Sequence, residues 1–164
     1  MQHKAKISGL TMDPDSNTPI VILHCDDDRT LPIWIGLLEA TAIATELRGI
    51  RFERPMTHDL FKNFAEMVGA EILYIEICDL RNNTYFARIH FRLAERSFAI
   101  DARPSDAMAI ALRTGAPILI DDAVFDNSKT FEEPGQVLDE SEEGRKWAEY
   151  LKNLSPDDFG KYKV

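Results

Sequence analysis

Within the seven residues Asp101-Ala102-Arg103-Pro104-Ser105-Asp106-Ala107 the chain changes its hydrophobic period. Upstream, Phe98 and Ile100 alternate at the period of two of a strand; downstream, Ala107, Met108, Ala111 and Leu112 recur at helical spacing. Pro104 suits a first helical turn, where its missing N–H costs nothing, and Gly115 suits the stop. A strand must therefore feed a helix at this corner. The corner carries two carboxylates and a guanidinium beside a helix N-terminus, a place suited to holding an anion or positioning a water.

The same alternation predicts strands over 4–12, 18–25, 30–35, 71–80, 96–101 and 117–120, with a returning strand after Asn82-Asn83. Ile72, Tyr74 and Cys78 alternate with Leu73, Ile75 and Ile77, so both faces of the 71–80 strand are apolar and a central place in the sheet is expected. In the returning strand Tyr85, Ala87, Ile89, Phe91 and Leu93 point one way and Arg88, His90 and Arg92 the other. The latter set reads either as a phosphate-contacting stripe or as a solvated face neutralised by acidic partners. Helices are expected from Gly36 to about Arg48 and from the Thr57 cap to Gly69, the second with Leu60, Phe61, Phe64, Ala65 and Val68 as its apolar stripe. Grouped strands with segregated helices give an α+β single domain over 1–125, with a mixed, mostly antiparallel sheet and about three packed helices. An acidic linker over 126–143 and a short helical, amphipathic C-terminal tail over 144–164, bearing Trp147, Tyr150, Leu151 and Leu154, complete the expected organisation.

At 164 residues the chain is long enough to bury a core without disulfides or metals. Cys25 and Cys78 sit in apolar runs and read as buried free thiols. No apolar run approaches the roughly 18 residues of a membrane span, and no signal-peptide pattern follows Met1, so a cytoplasmic location without membrane contact is expected. The net charge of −9 opposes nucleic-acid binding by bulk electrostatics. It is uneven, however: residues 121–164 hold twelve acidic and six basic side chains, residues 1–120 sixteen and thirteen, and ten of those thirteen are Arg. A local Arg-lined groove is compatible with that balance. Asp26-Asp27-Asp28 lacks the alternation of a calcium loop and reads as a hairpin turn.

Three motifs in order, Leu31-Pro32-Ile33-Trp34-Ile35-Gly36, Pro55-Met56-Thr57-His58-Asp59-Leu60 and Asp101 to Ala107, together resemble the bifunctional nuclease family of bacteria and plants, some of whose members degrade both RNA and DNA. Ser16-Asn17-Thr18-Pro19 is similar to the family's opening strand, and the resemblance spans roughly residues 5 to 125. It implies phosphodiester hydrolysis, RNA or DNA as substrate, and a divalent metal, Mg²⁺ or Mn²⁺.

The candidate residues follow from both sources. Asp101 and Asp106 either bind a divalent ion, with Asp79 completing the set, or pair with Arg103 to lock the corner. Arg103 in the first reading grips a phosphate, with Arg54 and Ser105 as further substrate contacts. His58 is a general base or phosphate contact, with Asp59 orienting it or binding metal, or else both residues complement the charge of a first helical turn. Glu39, beside Trp34 near the helix start, is an inward carboxylate or an exposed one, and the resemblance raises it as a catalytic candidate. The alternative function is a non-enzymatic homo-oligomeric module that binds a small anion or a partner protein. A homodimer is expected in either case, because a small mixed sheet has strand edges to cover.

Overall fold

The computed structural model describes residues 1–128, and the linker and tail expected over 129–164 lie outside them. The elements are β1 Gln2–Met12, β2 Pro19–Cys25, β3 Thr30–Trp34, α1 Leu37–Leu47, α2 Thr57–Met67, β4 Ala70–Arg81, β5 Thr84–Leu93, β6 Arg96–Ala102, α3 Pro104–Thr114, β7 Ile118–Asp121 and α4 Asp122–Ser128. Two antiparallel meanders, β1-β2-β3 and β4-β5-β6, are joined through β7 in one seven-stranded sheet of order β3-β2-β1-β7-β4-β5-β6. β7 runs antiparallel to β1 and parallel to β4, the one parallel pairing among the described residues. This is a mixed, mostly antiparallel α+β domain.

Local chemistry explains the connections. Asn82 and Asn83 both have positive φ, the backbone a two-residue hairpin loop requires and Asn tolerates. Gly115 closes α3 in the left-handed conformation, and Pro104 opens it at the first turn. The core lies on one face of the sheet, where Val21, Leu23, Ile75, Ile77, Ile89 and Ile120 are buried under Ile43 of α1 and Met108 of α3. On the opposite face the Arg88–His90–Arg92 stripe is met by carboxylates: His90 Nε2 bonds Glu76 at 2.9 Å, Arg92 pairs with Glu71, and Arg88 stands opposite Asp101 in the register. That face is therefore largely neutralised.

Among the described residues there are four helices, the last of them α4, with Val124 and Phe125 buried, and three local expectations change. Seven residues are too few to show a helical period, so the pattern was illegible before the packing was seen. The N-cap of α2 is Met56, with Thr57 in the first turn, because the Asp59 carboxylate accepts the Met56 N–H at 2.9 Å and does the capping in reverse. The apolar stripe of α2 is only partly used: Ala65 is buried and Phe61 packs on the core, while Leu60, Phe64 and Val68 are exposed. Cys25 is buried, and burial pushes its thiol up to about 11, but Cys78 is only half-buried; both are free.

Candidate active site

Three helix N-termini converge on one ion-pair cluster. Arg103, the α3 N-cap residue, donates from Nε to Asp106 Oδ2 at 2.7 Å and from NH1 to Glu39 Oε1 at 2.7 Å. Its NH2 reaches Asp106 Oδ1 at 3.2 Å, and His58 Nε2 meets the same oxygen at 2.9 Å. Glu39 comes from the first turn of α1, His58 from that of α2, and Asp106 from that of α3. Residues as far apart as 39 and 103 thus share one guanidinium.

The backbone builds this arrangement with little slack. A Cβ at Gly36 would lie 2.2 Å from Glu39 Oε2, so the Glu39 carboxylate folds back over Gly36 and a side chain there would displace it from this position. Glu39 is neither simply exposed nor buried beside Trp34; it is tied to Arg103, while the Trp34 indole donates to Asp13 at 2.8 Å.

His58 and Asp59 straddle α3. His58 takes Asp106 near the start of that helix, and Asp59 Oδ1 accepts from Arg113 Nε at 2.7 Å near its end. Arg113 was not legible as a site residue, although it lies seven residues after Asp106 and hence on the same helix face. Its side chain is only 4% exposed, and NH1 also donates to the carbonyls of Ala42 and Ala109. Arg113 therefore pins α1 and α2 to α3.

The electrostatics follow from these contacts. For Asp106, burial is the largest single influence and raises the pKa, but the hydrogen bonds from Arg103 and His58 outweigh it and hold the carboxyl below its ordinary range. Asp59 behaves alike: burial raises it, and the Met56 N–H and Arg113 overcome that. Arg103 is raised further, first by its hydrogen bond to Asp106. An ionised Asp106 can only accept, so the His58 nitrogen facing it carries the proton and Nδ1 is left as the basic atom.

The other expected site residues lie elsewhere. Asp101 is exposed on β6, opposite Arg88 and on the sheet face away from the helices, because the strand alternation that buries neither neighbour turns it outward. Asp79 accepts the Leu80 N–H and pairs with Arg81. Asp79, Asp101 and Asp106 are thus not brought together as a metal-ligand set. Among the described residues no group of three His, Cys, Asp or Glu side chains is arranged to hold a metal ion. Between Glu39 and Asp106 it is the Arg103 guanidinium that supplies the positive charge. Ser105 is buried at 6% exposure in the first turn of α3, and Arg54 is exposed in the α1–α2 connector.

Residues 21–133 match the family model of the bifunctional nuclease domain. The chain is 36% identical over 162 residues to an uncharacterized protein of Mycobacterium tuberculosis, covering 95% of this chain and 97% of that one. It is 26% identical over 113 residues to bifunctional nuclease 1 of Oryza sativa subsp. indica, covering 66% of this chain and 34% of the relative. With bifunctional nuclease 1 of Arabidopsis thaliana it shares 24% identity over 107 residues, 62% of this chain and 33% of the relative. The chain thus matches about a third of the length of these plant nucleases.

Proposed function

The chain belongs to the bifunctional nuclease family, and from that premise we propose that it hydrolyses phosphodiester bonds of RNA and DNA at the Glu39–Arg103–Asp106–His58 cluster. The observation that carries this reading is the His58–Asp106 dyad with a guanidinium on the same carboxylate. His58 Nδ1 takes the proton of the attacking water, and Asp106 stabilises the imidazolium that results. Water's oxygen bonds to phosphorus as the bond to the leaving sugar oxygen breaks, and the imidazolium returns the proton to that oxygen. Arg103, 64% exposed, engages Glu39 and Asp106 with three of its five N–H groups and has two left for phosphate oxygens.

No step is assigned to Mg²⁺ or Mn²⁺, because the carboxylates expected to bind one do not converge. The second reading, a non-enzymatic module, is favoured by one feature: Arg103 is shared by two carboxylates, as a corner lock would be.

Cleavage of labelled single-stranded RNA and duplex DNA, with Mg²⁺, Mn²⁺ or EDTA, separates these. Wild type should cut, and Asp106→Asn should lose roughly 10²- to 10⁴-fold in rate, the worth of a group that orients and charges a catalytic His. Cutting that survives EDTA supports the dyad; cutting abolished by EDTA would restore the metal. No cutting in any condition would favour the binding module.

A further inference from the structure

Among the described residues the strand β6 ends the sheet, and each of its residues from Arg96 to Asp101 is exposed. Phe98 and Ile100 stand opposite Phe91 and Ile89 in the register, on the side of the sheet that carries the helices, yet both remain open to solvent. A flat edge with apolar side chains and unpaired backbone groups is a template for another strand unless something covers it.

The neighbouring helix continues the apolar surface. Phe61 of α2 packs at 6.1 Å on Phe91, whose other neighbour is Phe98, stacked at 5.4 Å. His58 and Asp59 mark the flank of α2 that meets α3. Leu60 and Phe64, four apart on the other flank, are 61% and 56% exposed, with Met67 and Val68 exposed below them. Phe61 and Phe91 thus link α2 to the apolar side of the edge strand.

We propose that this face is a two-fold homodimer interface in which β6 pairs antiparallel with β6 of a second copy, centred on Ala99. Ala99 is the middle residue of Arg96–Ala102, and pairing about it matches all seven positions. Phe98 then meets Ile100 of the partner subunit on the helix side, and Ser97 meets Asp101 of the partner subunit on the other, so apolar faces apolar and polar faces polar. The Leu60–Phe64 flanks of the two α2 helices close over the paired strands. Residues 129–164 suit this edge poorly, because they hold Pro134-Gly135 and Glu or Asp at 132, 133, 139, 140, 142 and 143 rather than an alternating apolar run. Pairing also sets Arg96 of the partner subunit opposite Ala102, one residue from Arg103.

Sedimentation velocity on the full chain tests this, with Ile100→Lys and Leu60→Lys as variants. Both side chains are exposed in the single chain, so the variants should keep the wild-type far-UV circular dichroism while dimer dissociation rises at least about a hundredfold and the melting temperature loses only its dependence on protein concentration. Ala99→Cys should form a disulfide-linked dimer on mild oxidation, because opposed residues in an antiparallel pair lie within disulfide reach, while wild type stays unlinked. A monomeric wild type at micromolar concentration, which would leave the face to the chain's own C-terminal segment, overturns the proposal. So does a dimer indifferent to both lysines, or the absence of a link in Ala99→Cys.

Discussion

At the residue scale, the side chain that matters most to the architecture of the site is Arg113. Its charge is buried, and three acceptors, Asp59 and the carbonyls of Ala42 and Ala109, depend on it. Removing the guanidinium takes a partner from each of these acceptors and leaves a gap where its buried side chain packed, although Asp59, a third exposed, keeps the Met56 N–H and some water. Arg113→Met should therefore destabilise the fold by about 2–4 kcal/mol in urea unfolding. Adding Asp59→Asn should recover part of that loss, and strict additivity of the two would show that the pair is not coupled. Arg103 is different. It is mostly exposed, so its ion pairs contribute little to stability, and its substitution should register in function instead.

At the scale of elements, the packing of α1 and α2 against α3 depends on carboxylates at helix N-termini. Asp59 and Asp106 are both held below the ordinary Asp value of 3.8 when folded. In the unfolded chain they bind protons more readily, so their contribution is fully present above that value and is lost as pH falls through the folded pKa values. Stability should accordingly hold between about pH 5 and 7 and decline below about pH 4. Urea midpoints measured across that range check this. Asp106→Asn should flatten part of the acid limb, and an unchanged limb would mean that other carboxylates govern it. The three helix starts were legible as local signals, since Gly36, Thr57 and Pro104 are punctuation that a sequence displays. That they meet at one point was not, because Glu39, His58 and Arg103 come together only when the sheet sets the spacing between their helices.

At the scale of the whole molecule, the proposed function sets a net charge of −9 against a polyanionic substrate. Among the described residues Arg103 is the exposed cation held in the cluster, and the Arg stripe of β5 is met by Glu71, Glu76 and Asp101 on the far face. Binding should thus rest on a few phosphate contacts, with a log–log salt slope of roughly −1 to −2. Fluorescence anisotropy of a labelled oligonucleotide across a salt series measures it. A slope steeper than about −4 would reveal a distributed cationic surface instead.

The α+β class, most strand positions, the corner at Asp101–Ala107 and the family followed from local patterning, because period, turn chemistry and motif order are written in adjacent residues. The tertiary structure alone decided which charges meet. It turned Asp101 away from Asp106 through a single step of strand alternation, buried Ser105, gave Arg103 to two carboxylates and brought Arg113 into the site. Ion pairs between residues 39 and 103, or 58 and 106, are set by the distances between packed elements, and one-dimensional spacing does not encode those distances.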